Sequence, residues 1–321
     1  MGVAPLREIA VASTIDPADL RGETGAVDAY NWLYRYLTVT VRYTDPEVYT
    51  TAEGTQVPNL VGVIRGLPKF FEYQFFPIFV FDGTPAPLKN RALARRRRER
   101  QRAAERAADA REHNEDRVAA RYASRSVRIT ETIRRTTREL YDMLDVPFLD
   151  APGEAEAQAA HMARAENVDY AVTDDYDALL YGTPLTVRQF TSAGAPECMA
   201  FEATLERHDI SWEQLVDVAI LCGTDYNDGV PGVGAARALA LIRRYGDLDG
   251  ALAAVDASVA HADRIRAQFL EPSVTDDYKV SPSWHPDLPA ARSFILDEWE
   301  IPASVVAPAF ERLEAARDAW A

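Results

Sequence analysis

The chain has 321 residues, 47% of them hydrophobic, and a formal net charge of −15. That length allows one large or two ordinary domains with a real core, and the apolar content is normal for a globular protein. No apolar run reaches membrane-spanning length, no signal peptide is evident, and two cysteines cannot build a disulfide framework. We therefore expect a cytoplasmic protein with no membrane partner.

The chain is acidic overall but carries one basic segment. Its basic residues are nearly all arginine, since only Lys69, Lys89 and Lys279 are lysines. Such a composition resembles proteins of salt-loving microbes, although acidity also serves solubility alone. Residues 89–128 reverse the balance, with fourteen Lys or Arg against six Asp or Glu. A basic segment on an acidic body predicts a polyanionic partner at one place.

Three short apolar runs lead into acidic residues and predict buried strands: T-G-A-V-D at 24–28, P-I-F-V-F-D-G at 77–83, and 169–173 before D-D-Y-D. Shorter strands are predicted at 146–149 and within 186–201. Helical patterns lie between the strands, from about 29, over 60–75 and 126–145, and from 153 to about 166. This alternation predicts an α/β fold with a mostly parallel central sheet flanked by helices. Its ligand site should lie off the carboxyl ends of the strands.

The basic segment predicts one long helix from about Leu88 to Ala123. Because it is polar nearly all round, it either stands in solvent, covers something charged, or is partly disordered. A helix at 211–222 is followed by G-V-P-G-V-G at 229–234, and the pattern beyond 250 is helical but weaker. We predict a core over residues 1–250 and a helical extension over 251–321 packed on it.

The acidic residues at strand and helix ends predict a metal site. The seven candidates are Asp28, Asp82, Glu154, Glu156, Asp175, Asp177 and Asp225. Each signal alone is weak, because an E-x-E pair is usually solvated and a D-x-D after a strand often bonds locally. The recurrence of strand followed by acid favours a shared cluster, which would be costly without cations. Carboxylates suit Mg²⁺, and phosphodiester hydrolysis commonly uses two such ions, so we predict a two-metal site that cuts nucleic acid.

The glycine-rich stretch that contains Gly232 and Gly234 allows a tight turn between two helices. The helix that follows would offer free N–H groups to a phosphate. An ordinary helix–helix turn explains the same pattern equally well. The arginine-rich helix by itself is likewise as typical of a solvated helix as of nucleic-acid binding.

Taken together, five segments resemble the flap endonuclease branch of the XPG-type structure-specific nucleases, and the archaeal enzymes in particular. They are A-V-D-A-Y-N at 26–31, V-F-D-G-T-P-A-P-L-K at 80–89, A-P-G-E-A-E-A-Q-A-A at 151–160, D-D-Y-D-A-L-L-Y-G at 174–182 and L-C-G-T-D-Y-N-D-G-V-P-G-V-G at 221–234. Their order and spacing match from near residue 1 to about 315. The resemblance implies a PIN-like 5′ nuclease core with a helical arch over residues 89–128 and a helix-two-turn-helix over residues 223–245.

The resemblance also implies roles for individual residues. The first metal is expected at Asp82, Glu154 and Glu156, and the second at Asp175, Asp177, Asp225 and the shared Glu156. Asp28 is expected to act through metal-bound water.

Contact with the scissile phosphate is expected from Lys89 and Arg96, and the residue that becomes the N-terminus beside the site is Gly2. Tyr34 is expected to stack on a base of the DNA. Further DNA contacts are expected from Arg95 and Arg97 on the arch and from Gly232 and Gly234 in the helix-two-turn-helix.

The implied activity is Mg²⁺-dependent 5′ flap cleavage with 5′–3′ exonuclease action in Okazaki-fragment maturation and repair. Two Mg²⁺ ions are expected per site, with Mn²⁺ as a substitute, and the family often holds K⁺ in the hairpin. The expected partner is flapped or branched DNA, bound by a monomer. Two alternatives stay open: a relative that cuts bubbles or Holliday junctions, and a non-catalytic DNA-binding paralogue.

Three departures from the family stand out. Gly153 replaces the usual Ser before the Glu pair, which predicts a slightly weaker helix cap. Asp174 stands where the family usually has Gln, and we expect it to be solvated. The family's clamp-binding tail motif is absent from R-L-E-A-A-R-D-A-W-A, so sliding-clamp stimulation is not expected, and a paralogue or a shortened chain are both open readings.

Overall fold

One mixed sheet organises the computed structural model, which describes residues 3–113, 115–190 and 194–320. Within that part of the chain its strands are Val11–Thr14 (β1), Thr24–Asp28 (β2), Phe76–Phe81 (β3), Phe148–Asp150 (β4), Tyr170–Val172 (β5), Leu185–Arg188 (β6) and Glu197–Ala200 (β7). The order across the sheet is β1-β7-β6-β5-β2-β3-β4. Neighbours from β6 through β4 are parallel, and β7 and β1 add antiparallel pairs at one edge. The prediction of a mostly parallel α/β sheet is confirmed.

Helices cover the sheet and extend beyond it. The α-helices are Ala29–Tyr43 (α1), Pro58–Gly66 (α2), Pro68–Glu72 (α3), Asn90–Glu112 (α4), Asp116–Ser126 (α5), Glu131–Met143 (α6), Ala155–Arg164 (α7), Phe201–His208 (α8), Trp212–Cys222 (α9), Ala235–Tyr245 (α10), Leu248–Ala254 (α11), Ala262–Leu270 (α12), Leu288–Ser293 (α13) and Ala303–Trp320 (α14). Short 3-10 turns lie at Ala4–Glu8, Pro17–Leu20, Pro46–Tyr49, Pro87–Lys89 and Tyr176–Leu179, and a π turn at Phe294–Glu298. None of the helices in the described ranges has the length and apolarity needed to cross a membrane.

The basic segment is not the single long helix that its composition predicts. It forms a 3-10 turn and then α4 and α5, which pack against each other. The small side chains Ala103, Ala107 and Ala110 share one face of α4 and are buried, as is Ala119 of α5. Alanine is too weakly apolar to stand out in a hydrophobic pattern, yet its small size permits close helix packing. The pair is called the arginine hairpin below and comprises residues 90–112 and 116–126.

Two apolar clusters hold the helices in place. The larger packs the sheet against α1, α2, α6 and α14, with Leu33, Phe79, Leu140 and Phe310 fully buried. The smaller surrounds α9 and includes the turn Ala4–Glu8 together with α10, α11 and α12. Residues beyond 250 contribute to both clusters. The division into a core and an extension near residue 250 stays a prediction.

An aromatic stack fastens the C-terminal part of the chain to α3. The Trp284 ring lies parallel to Phe71 at a centroid distance of 3.6 Å, and Trp320 meets both rings edge-on. Trp284 is 2% exposed, and its indole N–H donates to the carbonyl oxygen of Leu144 at 2.7 Å. One side chain therefore joins the segment before α13 to both α3 and the end of α6.

Replacing this tryptophan should destabilise the whole protein. We expect Trp284→Ala to lower the free energy of unfolding by about 3–5 kcal/mol, because it leaves a large cavity and an unpaired carbonyl. Tyr43→Ala, at a side chain that is mostly exposed, should change it by less than about 0.5 kcal/mol. Denaturant unfolding at constant KCl measures both. A loss below about 1 kcal/mol for Trp284→Ala would contradict the assigned role of the stack.

Candidate active site

Three parallel strands deliver acidic side chains to one edge of the sheet. Strand β2 ends at Asp28, which is level with Val80 of β3. Asp82 follows β3 directly, and Asp175 lies three residues beyond the end of β5. Because the carboxyl ends of parallel strands lie at the same edge, these acids converge as the sequence predicts.

Helix α7 adds two more acids and begins in an unusual way. Glu154 is its N-cap residue but makes no capping bond through its side chain, and Glu156 lies in the first turn. The Asp82 carboxylate accepts the backbone N–H of Ala155 at 2.7 Å and so supplies the cap from another strand. Gly153 lies one position before the N-cap residue, so the weaker cap expected from it stays a prediction.

The loop after β3 approaches this helix start closely. A Cβ on Gly83 would lie 1.9 Å from the carbonyl oxygen of Ala151, so only glycine fits. Gly83 also donates its N–H to the carbonyl of Gly153 at 2.8 Å. The contact holds Asp82 against the beginning of α7.

The other acids come from turns. Asp177 lies in the turn Tyr176–Leu179 and accepts the backbone N–H of Val3. Asp225 follows α9. Gly2 lies outside the described residues, so its predicted place beside the site stays a prediction, although its neighbour Val3 contacts Asp177.

All seven predicted acids line one cleft of about 1150 Å³. Of the predicted cations and DNA contacts, Lys89, Arg96, Arg97 and Tyr34 also line it. The exposed Arg95 does not line the cleft, and neither do Gly232 and Gly234 in the turn between α9 and α10. The structure thus brings the seven predicted acids and two predicted catalytic cations together in one cleft, and it leaves three of the predicted DNA contacts outside that cleft.

Two cations from the base of the arginine hairpin lie among the carboxylates. Lys89 forms an ion pair with Glu154, and its Nζ is 3.7 Å from Oδ2 of Asp225. Arg96 Nη2 lies 2.5 Å from the same Asp225 oxygen. The positions expected to contact a phosphate are therefore engaged with acidic groups of the site.

Burial and mutual repulsion raise the pKa values of several of these acids. Burial, then the charge of Asp82, raises the pKa of Asp28 to about 7. Burial raises the pKa of Asp177 to about 6, opposed by the N–H of Val3 and reinforced by Asp225. Burial and the charge of Asp177 raise the pKa of Glu156 well above its ordinary range. Such a site would gain from additional positive charge.

The donor set fits a divalent metal such as Mg²⁺ or Mn²⁺. Its acidic ligands offer only oxygen, which both ions accept, and Mg²⁺ keeps several waters of its own. As arranged here, no three Asp, Glu, His or Cys side chains in the described residues converge closely enough to hold one ion. The number and identity of the metals stay predictions, and so does K⁺ in the helix-two-turn-helix.

The arginine hairpin forms one wall of the cleft. The arginines from it and the residues just beyond that line the cleft are Arg96, Arg97, Arg100, Arg102, Arg106, Arg125 and Arg128. The Tyr122 ring lies within 6.0 Å of the guanidinium groups of Arg106, Arg121 and Arg125. Tyr34 of α1 donates its hydroxyl to the carbonyl of Val127 at 3.1 Å, which ties the end of the hairpin to the core.

A second glycine-rich turn joins α9 and α10. Gly229 has a φ of +74°, and a Cβ there would lie 2.5 Å from the backbone of Cys222. Gly234 is the N-cap residue of α10, and no side chain caps this helix. Its first N–H groups are therefore unpaired by any capping side chain, as the phosphate-binding interpretation requires.

Thr173, Tyr226 and Arg188 are among the residues at the site that sequence reasoning missed. Thr173 donates to Glu156 at 3.1 Å and accepts the N–H of Asp175 at 3.3 Å. Tyr226 lines the cleft, with its hydroxyl 3.4 Å from that of Tyr181. Arg188 donates to the carbonyl of Asp174. An arginine that closes the short apolar strand L-T-V-R was a usable signal for the last of these.

The environment of Asp174 differs from the prediction. This acid is half-exposed but is not simply solvated, since it forms an ion pair with Arg35 of α1. Its carboxylate also accepts the backbone N–H of Gln189 at 2.7 Å. The extra negative charge is thus balanced by a cation, because the fold places α1 next to the loop after β5.

Comparison with known proteins agrees with this geometry. The XPG N-terminal domain matches residues 1–103, and the XPG I-region matches residues 145–225. All seven acids of the cleft lie within these two regions, and the matches place the protein among the XPG-type nucleases, enzymes that act on phosphodiester bonds. Flap endonuclease 1 of Halobacterium salinarum is 54% identical over 317 residues, covering 98% of this chain and 97% of that protein. The chain belongs to the flap endonuclease 1 family.

Solved structures show the same relationship. The flap endonuclease-1 from Methanococcus jannaschii superimposes with a TM-score of 0.76 at 32% identity, covering 98% of this chain and 99% of that one. The catalytic core of Rad2 in complex with DNA substrate has a TM-score of 0.72 at 21% identity, covering 96% and 100%, and shares the fold. The resemblance to proteins of salt-loving microbes, expected from composition, fits the Halobacterium relative.

The raised pKa of Asp28 predicts how stability depends on pH when a chelator removes divalent ions. The folded state keeps a proton that the unfolded chain releases between the ordinary pKa of 3.8 and about 7. The free energy of unfolding should therefore fall as pH rises through this window. Asp28→Asn should flatten that dependence, as measured by denaturant unfolding in EDTA between about pH 4 and about pH 8. An unchanged slope in the variant would refute the contribution of Asp28.

Proposed function

We propose that this protein is a Mg²⁺-dependent 5′ flap endonuclease with 5′–3′ exonuclease activity. It would act as a monomer in the cytoplasm, in Okazaki-fragment maturation and DNA repair. One observation carries the proposal: the acids of the cleft, with Lys89 and Arg96 among them, lie beneath an arginine-lined wall. Membership of the flap endonuclease 1 family supports the same activity.

The chemistry divides between acids and cations. We expect Asp82, Glu154 and Glu156 to hold one divalent ion, and Asp175, Asp177, Asp225 and Glu156 the other, with Asp28 acting through water. When bound, such ions activate water and stabilise the leaving oxygen. Their positive charge would also relieve the repulsion that raises the pKa of Glu156 and Asp28.

Lys89 and Arg96 have a second task in this mechanism. Their present partners are Glu154 and Asp225. If Glu154 and Asp225 held metal, Lys89 and Arg96 would be free to bind the oxygens of the scissile phosphate. A guanidinium and an ammonium positioned there stabilise the charge that develops as the phosphodiester bond breaks.

The DNA contacts follow from the surroundings of the cleft. The 5′ single strand would pass the arginine hairpin, where Arg97 and Arg100 line the cleft and Arg95 is exposed outside it. Tyr34 lies at the cleft and would stack on a base. The duplex would contact the glycine-rich turn between α9 and α10 at Gly232 and Gly234. There the start of α10 offers N–H groups to a phosphate, and K⁺ is expected at the same turn.

Removing one carboxylate tests the proposed chemistry. Asp82→Ala should lower the rate of 5′ flap cleavage in Mg²⁺ by at least about 100- to 1,000-fold, since it deletes both a metal ligand and the cap of α7. Binding of flap DNA should change little. Single-turnover cleavage and fluorescence anisotropy, both at high KCl, measure the two effects.

The matched control is Asp150→Ala. Asp150 ends the neighbouring strand β4, is exposed and does not line the cleft. The Asp150→Ala variant should cleave flap DNA at the rate of the unmodified protein. Full cleavage by Asp82→Ala would sink the metal assignment.

The choice of substrate tests the proposed specificity. The protein should cleave a 5′ flap faster than a bubble or a four-way junction of the same sequence by about tenfold or more, a difference of about 1.4 kcal/mol in activation free energy. The three substrates are compared under single-turnover conditions. Preferred cleavage of the bubble or junction would reassign the specificity, and binding without any cleavage would identify a non-catalytic DNA-binding protein.

A further inference from the structure

Two of the candidate metal ligands stand on a loop rather than on a rigid element. Asp175 and Asp177 belong to the stretch between β5 and β6, and only a single 3-10 turn, Tyr176–Leu179, gives it regular structure. Ligands must hold their geometry closely if a two-metal site is to work. Some contact outside the acidic set must therefore fix this loop.

Arg188 contacts this loop on both sides of Asp175. It is the last residue of β6 and only 7% exposed. Its Nη2 donates to the carbonyl oxygen of Asp174 at 2.9 Å, and its Nε reaches the same oxygen at 3.3 Å. Its guanidinium carbon lies 3.8 Å from the centre of the Tyr176 ring. One buried cation thus grips the residues on both sides of Asp175.

Strand β7 provides an ion-pair partner for Arg188. Its Nη1 lies 3.3 Å from Oε2 of Glu197 in β7, which pairs with β6 in antiparallel register opposite Arg188. The ion pair balances the charge of the buried guanidinium and leaves its planar face to the Tyr176 ring. A buried charge is retained in a fold only when it is paired in this way.

The loop is fastened at one further point on the same side. The backbone N–H of Gln189, the next residue after Arg188, donates to the Asp174 carboxylate at 2.7 Å. The end of β6 therefore binds both the carbonyl and the side chain of Asp174. Without the guanidinium, the Asp174 carbonyl and the Tyr176 ring lose their buried partner.

We propose that Arg188 is a positioning residue that fixes the Asp175 and Asp177 carboxylates for metal binding, through the Asp174 carbonyl and the Tyr176 ring. It touches neither metal nor DNA in this role. The inference rests on the proposed two-metal function and assigns to Arg188 the supporting contact for one half of the site. Residues that orient metal ligands typically contribute 10- to 100-fold to metal affinity or activity, so the expected effect is about that large.

The primary test is Arg188→Lys, which keeps the charge but not the planar fork. A lysine cannot both donate along two N–H bonds to one carbonyl and lie flat on an aromatic ring. We expect kcat for flap cleavage and the affinity for Mn²⁺ each to fall about 10- to 100-fold. The KM for DNA should stay within about twofold, because the phosphate contacts are elsewhere. Calorimetric Mn²⁺ titration without DNA gives a readout that is independent of cleavage.

Arg292→Lys is the matched control. The Arg292 guanidinium also lies over an aromatic ring, 4.5 Å from the centre of Phe310, and pairs with Glu314 at 3.0 Å, but it belongs to α13. This variant should keep the Mn²⁺ affinity and kcat of the unmodified protein. Thermal unfolding of both variants separates a loss of stability from a loss of metal affinity in the folded protein.

A second pair of variants decides the matter if Arg188→Lys does not fold. Tyr176→Leu removes the ring beneath the guanidinium and should weaken Mn²⁺ binding, whereas Tyr176→Phe keeps the ring and should bind as the unmodified protein does. Equal Mn²⁺ affinities in these two variants, or in folded Arg188→Lys and the unmodified protein, would overturn the positioning role.

The outcomes also separate this role from the proposed function. If the unmodified protein binds Mn²⁺ but cleaves no flap, the proposed function fails, and the Mn²⁺ titrations still decide the role of Arg188. If the unmodified protein binds no Mn²⁺, both are overturned. Normal cleavage and normal Mn²⁺ affinity in Arg188→Lys overturn the positioning role alone.

Discussion

Repulsion between buried carboxylates at one edge of the sheet is the constraint on which the rest of the structure depends. Burial together with neighbouring charges raises the pKa values of Asp28, Glu156 and Asp177. A cluster of this kind persists only if cations balance it and the backbone holds it in place. The fold supplies the cations from the base of the arginine hairpin and leaves the site suited to divalent metal.

Several site residues also hold the fold together. Asp28 caps α1 by accepting the N–H of Asn31 at 2.9 Å, and Asp82 caps α7 by accepting that of Ala155. A carboxylate at a helix N-terminus is favoured by the unpaired N–H groups and the helix dipole. These bonds use one oxygen of each group and fix its direction, so the same interactions that begin the helices also orient the candidate ligands.

The arginine hairpin is the electrostatic counterpart of the acidic body. Its cleft-facing arginines gather on one wall, while buried alanines let its two helices pack closely. In the concentrated salt that the composition suggests, the Debye length is only ~3 Å at about 1 M. Long-range attraction would then contribute little to the proposed DNA binding, and short contacts such as stacking and direct phosphate bonds would have to carry it.

Sequence patterns alone predict six of the seven strands in the described residues, all except β1, together with the mostly parallel sheet and the shared edge at which the acids lie. An apolar run that ends in a carboxylate indicates both that the strand is buried and that the acid lies at its carboxyl end. Sequence patterns do not predict that the basic segment forms the arginine hairpin, that Asp82 caps α7, that Lys89 pairs with Glu154, or that Arg188 contacts Asp174 and Tyr176. Asp82 and Ala155 lie 73 residues apart in the chain, and Lys89 and Glu154 lie 65 apart. These contacts depend on how close the folded elements lie, a distance that no local pattern of residue types encodes.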